Sequence, residues 1–185
     1  MINKAYKLAA TALASCALLS PHAAMAQQCV EEADLADAVV YFTPIAYSAF
    51  STKCGPALAD GGFVKMHGEE FIAPYVARQD EAWAGAFRVF KVFADGKKSA
   101  DQDGEPDEMA AMFDALPPEA LRPFLGAVIE MEIAKEIKLE SCEDVERLLA
   151  PLVPLPPENL GALAAVIVGM VPDIKDPQVC PAKPQ

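Results

Sequence analysis

The sequence predicts an all-α fold, a bundle of six to seven helices stapled by two disulfides. Apolar residues recur at steps of three and four through most of the chain, prolines fall where helices start or break, and no segment alternates convincingly as a strand. Four cysteines, Cys29, Cys54, Cys142 and Cys180, are spread over the same region and supply the staples.

Residues 1–26 read as an export signal. Lys4 and Lys7 form a positive n-region, and Leu8 to Leu19 is apolar apart from Thr11 and Ser15. Ser20-Pro21 breaks the helix, and Ala24-Met25-Ala26 offers the small residues that signal peptidase reads. The apolar stretch falls short of the ~20 residues that a membrane-spanning helix needs. A competing reading takes Leu13-Ala14-Ser15-Cys16 as a lipoprotein box with Cys16 lipidated. The apolar Ala17-Leu18-Leu19 that follows Cys16 stands where a polar tether is usual, so cleavage after Ala26 fits better. Residues 27–185 then form one helical domain with enough chain for a real core.

Leu35, Val39, Phe42, Ala46 and Ala49 keep helical phase across Pro44, which predicts one kinked helix from about 31 to 53. A second helical region starts near His67 and runs to Gln79, with Pro74 assigned to its first turn. Trp83, Phe87, Phe90 and Phe93 then form an aromatic stripe, expected to face the core. Pro106 to Leu116 predicts a short helix, and Pro117-Pro118-Glu119 opens the next, which runs towards Leu139. Ser141 precedes a further helix, with Asp144 as a weak capping partner. Pro154, Pro156 and Pro157 end it. The last helix, Glu158 to Val171, carries no charge from Leu160 onward and is expected to be the buried centre of the bundle.

The cysteines become distance constraints on this layout. A continuous first helix puts Cys29 and Cys54 roughly 30 Å apart at ~1.5 Å per residue, whereas a disulfide needs Cα atoms within about 7 Å. That favours the crossed pairs Cys29–Cys180 and Cys54–Cys142. A first helix folded back at Pro44 would instead give Cys29–Cys54 and Cys142–Cys180. Both schemes remain open at this point. Neither the closely spaced ligands of a zinc site nor a Cys-x-x-Cys redox pair is present.

Charge narrows the partners. The chain has 15 basic and 27 acidic residues, a net charge of −12, and loss of Lys4 and Lys7 with the leader makes it −14. Such a surface repels nucleic acid and anionic lipid heads and suits a basic or an apolar protein partner. Asp101, Asp103, Glu105 and Asp107 alternate like calcium ligands, but an EF-hand register sets Pro106 where glycine belongs and Met112 where a bidentate glutamate belongs. A solvated acidic loop is the simpler reading. No cofactor fingerprint, phosphate loop, Gly-x-Ser-x-Gly elbow or His-Glu-x-x-His motif occurs. His67, beside Glu69 and Glu70, is the one histidine after the leader, and a polar role at a helix start accounts for it.

Thr52-Lys53-Cys54, the run Leu149-Ala150-Pro151-Leu152-Val153-Pro154-Leu155-Pro156-Pro157-Glu158-Asn159, and Val179-Cys180-Pro181 carry a further observation. In these features the chain resembles a set of uncharacterised four-cysteine exported helical proteins of Gram-negative bacteria. The resemblance implies export and a cysteine framework, and brings no catalytic residue with it. The expectation is a periplasmic or secreted protein that works by binding another protein, with no cofactor and no catalytic site. The alternative is a carrier of a small apolar ligand in a helical-bundle cavity, suggested by the aromatic stripe, the methionines and the apolar last helix. Oligomeric state is left open by the sequence.

Intact mass of the protein recovered from the cell should place Gln27 at the N-terminus and show the hydrogens of two disulfides missing. A chain that keeps residues 1–26, or a lipid mass on Cys16, would overturn this reading.

Overall fold

A computed structural model describes residues 29–94, the backbone of one helix on to 100, residues 115–171 and residues 178–180. The leader with Cys16, the acidic stretch Asp101–Asp107 and all but the last two residues of the 106–116 helix lie outside the described residues. Six α-helices are described: α1 (Glu32–Cys54), α2 (Phe63–Val76), α3 (Gln79–Ala100), α4 (Pro118–Glu136), α5 (Cys142–Leu149) and α6 (Pro157–Met170). The fold is all-α, as the periodicity predicts. No single helix among the described residues is long and apolar enough to cross a membrane.

Helix α1 is the axis of the bundle. Its buried residues, Ala38, Val40, Tyr41, Ala49, Phe50 and Cys54, point to all sides, and it touches α2, α3, α4 and α6. A helix with apolar residues around its whole circumference must be enclosed. Glu32 and Asp34 in its first turn and Lys53 in its last complement the helix dipole. Pro44 removes one backbone donor but does not end the helix. Beside it, Thr43 Oγ1 donates to the Val39 carbonyl at 2.6 Å, a local bond of the kind that bends helices. The sequence had placed the buried centre in the last helix. That expectation is corrected, because α6 buries only Pro157, Gly161 and Ala165.

Helix α2 begins at Phe63, earlier than the sequence suggested, and Pro74 sits in its last turn, not its first. The cause lies far away in sequence: Val64 N–H donates to Glu146 Oε1 of α5 at 2.9 Å. A carboxylate there satisfies an orphan donor and meets the positive end of the dipole. Gly62 makes the approach fit, since a Cβ there would lie 2.6 Å from the same oxygen. Ser141 does not cap α5; its Oγ donates instead to the Lys138 carbonyl at 2.7 Å, within the 3-10 turn Leu139–Ser141.

The aromatic stripe of α3 enters the core only at its start. Trp83 is buried, Phe87 and Phe90 are half-buried, and Phe93 is exposed. Ala82, Ala86 and Val89 make the buried edge, because small side chains let α3 lie close against α1. Helix α4 adds Leu121 and Leu125 and sets the Arg122 guanidinium over the rings of Tyr41, at 5.4 Å, and Trp83, at 5.7 Å. Asp80 holds the same guanidinium at 2.6 Å. The pairing of cation with ring faces is worth ~0.5–2 kcal/mol at a half-buried site.

The disulfides are crossed. Cys54–Cys142 brings Cα atoms to 5.6 Å and joins the end of α1 to the start of α5. Its sulfurs sit in a second small core with Phe50 and Leu58, flanked by Val64, Ile137, Val145 and Leu149. Cys29–Cys180 brings Cα atoms to 4.9 Å, and beside it Val30 and Val179 form a parallel bridge. Val30 N–H donates to the Gln178 carbonyl at 2.8 Å, and Cys180 N–H donates to the Val30 carbonyl at 2.9 Å.

The double variant Cys54→Ser/Cys142→Ser opens an 88-residue separation and should lower the unfolding free energy by about 5 kcal/mol. Urea titration measures this. An unchanged midpoint would show that the cluster around Phe50 holds α5 without the covalent link.

Candidate docking surface

Small residues decide which way α6 faces. Pro157, Gly161 and Ala165, at steps of four, are its buried positions. A Cβ on Gly161 would stand 2.7 Å from the Ala36 carbonyl oxygen and 3.2 Å from Val40 Cγ2, so α6 lies almost on the backbone of α1. With glycine and alanine inward, the large apolar side chains must turn outward. Leu163 is 49% exposed, Val166 47%, Ile167 53% and Met170 75%. Their spacing, i, i+3, i+4, i+7, puts them on one face.

No charge interrupts the segment from Leu160 to Val171, and the four side chains leave roughly 450 Å² of apolar surface in water. Patches of that size on a soluble protein are often functional. An ion pair and the bridged tail stand at the two ends of the patch. Glu158 stands at its N-terminal end, held by Arg78 at 2.8 Å. At the other end Gly169 lies next to Val179, which pairs with Val30 just before the acidic first turn of α1.

Behind the N-terminal end of α6 is a cleft of about 130 Å³ lined by Ala36, Asp37, Val40, Arg78, Glu81, Ala82 and Glu158. Arg78 bridges Glu158 and, at 3.7 Å, Glu81. Burial raises the Asp37 carboxyl above the ordinary aspartate range, helped by the neighbouring charge of Asp34 and opposed by Arg88. Arg88 itself is engaged by both Asp34 oxygens, at 2.6 and 2.9 Å. Burial, with Glu158 nearby, likewise raises the Tyr75 phenol. The Arg88–Asp34 pair fastens α3 to α1, and Arg78 fastens α6 to the turn between α2 and α3. Exposed ion pairs of this kind hold by ~0–1 kcal/mol each.

Of the site residues named from the sequence, the four cysteines come together in the two crossed bridges and His67 joins no site. All four cysteines are consumed in the two bridges, leaving no thiol among them. His67 is exposed on α2 with its ring 5.9 Å from that of Phe63, and Glu69 and Glu70 are exposed on the same helix. Among the described residues no three histidine, cysteine or carboxylate side chains gather as a metal group. Sequence reasoning missed the outer face of α6. The signal was present in Gly161 and Ala165, a small-x-x-x-small pair that marks close helix contact.

Ile167→Glu should leave stability within about 0.5 kcal/mol of the parent, as a surface change does. Gly161→Val should cost about 1–3 kcal/mol by overpacking. Chemical denaturation of both variants checks the orientation of α6, and the reverse ranking would mean that the helix is turned the other way. No protein-family model, curated protein or solved structure matches this chain.

Proposed function

We propose that the protein acts outside the cytoplasm, in the periplasm or after secretion, by binding another protein through the outer face of α6. Two disulfides support an oxidising, extracytoplasmic setting, and the tripartite leader points the same way. One observation carries the docking reading: a helix, uncharged from Leu160 onward, that turns its small residues inward and its large apolar residues to water.

Covering roughly 450 Å² of apolar surface at ~25 cal/mol per Å² contributes about 11 kcal/mol before the costs of association. Those costs run to ~4–15 kcal/mol, so the face suits a partner that adds contacts of its own at the rim. Carriage of a small apolar ligand draws less support. The cleft behind α6 is small and carries Asp37, Arg78, Glu81 and Glu158, and Met66, Met131 and Met170 all face solvent. Lipid-sized mass retained in native mass spectrometry of the purified protein would favour the carrier instead.

A photo-crosslinking amino acid at position 167, tested in the producing cell, should give a protein adduct. The same group at exposed Lys91 of α3 should give none or far less. Equal adducts at both positions, or none at 167, would remove the support for α6 as the docking face.

A further inference from the structure

We propose that the two disulfides do different work: Cys54–Cys142 is a permanent staple, and Cys29–Cys180 is a reducible clasp that governs the end of α6. The first ground is access. Thiol exchange needs a thiolate to reach a bridging sulfur, so a bridge open to water reacts long before an enclosed one. Cys54 is 0% exposed and Cys142 1%, walled in by Phe50 and Leu58. Cys29 and Cys180 are only half-buried, and the neighbouring Gln178 is exposed.

The second ground is what holds each pair of thiols together once its bond is broken. Around Cys54 and Cys142, Val64, Ile137, Val145 and Leu149 still pack, and Glu146 still holds the Val64 amide. The two thiols stay close, which favours the oxidised form. Cys29 and Cys180 lie outside the helices. Among the described residues, two backbone hydrogen bonds join their segments, at 2.8 and 2.9 Å. So short a pairing opens easily, which separates the thiols and favours the reduced form.

The clasp acts on α6 through Val179. Beyond Ala165 no residue of that helix is buried, and a Cβ on Gly169 would stand 3.8 Å from Val179 Cγ1. Val179 in turn is held by its pairing with Val30, which is anchored in the main core. With the bond open, segment 178–180 leaves Val30, and the last turn of α6 loses a neighbour. The first half of the helix keeps Gly161 against α1 and the Arg78–Glu158 pair.

The reductant is a dithiol. One of its thiolates attacks a sulfur of the clasp, forming a mixed disulfide and releasing the other cysteine as a thiolate, which takes up a proton. Its second thiolate then displaces the first cysteine, which is protonated in turn. The clasp gains two electrons and two protons, and the dithiol loses them as it closes to a disulfide.

The test equilibrates the folded protein, without denaturant, with dithiothreitol at graded ratios of reduced to oxidised form. Free thiols are then alkylated with iodoacetamide and located by peptide mass. Cys29 and Cys180 should become labelled at a ratio roughly tenfold or more below that needed for Cys54 and Cys142. In the clasp-reduced protein, the amides of Val168 to Met170 should exchange hydrogen roughly tenfold faster, and those of α5 at an unchanged rate. Reoxidation should restore the slow exchange. The variant Cys29→Ser/Cys180→Ser should match the clasp-reduced protein along α6. Labelling of all four cysteines together, or of Cys54 and Cys142 first, would overturn the proposal. So would a clasp that opens with no change in exchange along α6, because the bond would then govern nothing.

Discussion

A first helix that passes through Pro44 without stopping sets the terms for everything built around it. Because α1 is straight enough to keep Cys29 and Cys54 at opposite ends, neither can satisfy the other, and each must find a sulfur elsewhere. Cys54 takes the start of α5 and Cys29 takes the tail after α6. The bridges close loops of 151 and 88 residues, and in the chain-entropy model each restricts the unfolded chain by about 5 kcal/mol. Both ends of one helix are thereby tied to both halves of the remaining chain. The other helices can then be short or poorly capped and still hold their places.

Two of them illustrate this. Helix α5 has eight residues, too few to be stable alone, yet it is fixed by Cys142 and returns a carboxylate, Glu146, to the N-terminus of α2. Helix α6 has little side-chain volume facing inward and holds by backbone proximity at Gly161, the Arg78–Glu158 pair and the covalently anchored tail. A helix so attached does not need its large side chains for the core. They are left for use at the surface.

Much of this is written locally in the sequence. The phase kept from Leu35 to Ala49 across Pro44 locates α1, and its length then selects the crossed bridges. Pro117-Pro118 and Pro156-Pro157 mark the starts of α4 and α6. What could not be read depends on contacts between distant segments. The true start of α2 rests on Glu146, 82 residues from the amide it holds. Periodicity locates apolar residues but does not say which neighbour is near enough to bury them. Thus Phe93 and the Leu163 to Met170 stripe look like core and stand in water. Charge patterns were no better guide to the site, since His67 and its adjacent glutamates share a helix without converging on anything.

The crossed bridges also decide which wrong pairing the folded first helix forbids. Whatever the order in which the four thiols react, Cys29 and Cys54 can meet only in a chain whose α1 is not formed. A molecule that traps this pair must give up α1 and the contacts built on it, and thiol exchange offers the way back. The stiffness of one helix thus edits the connectivity, by making the local pair incompatible with the rest of the fold.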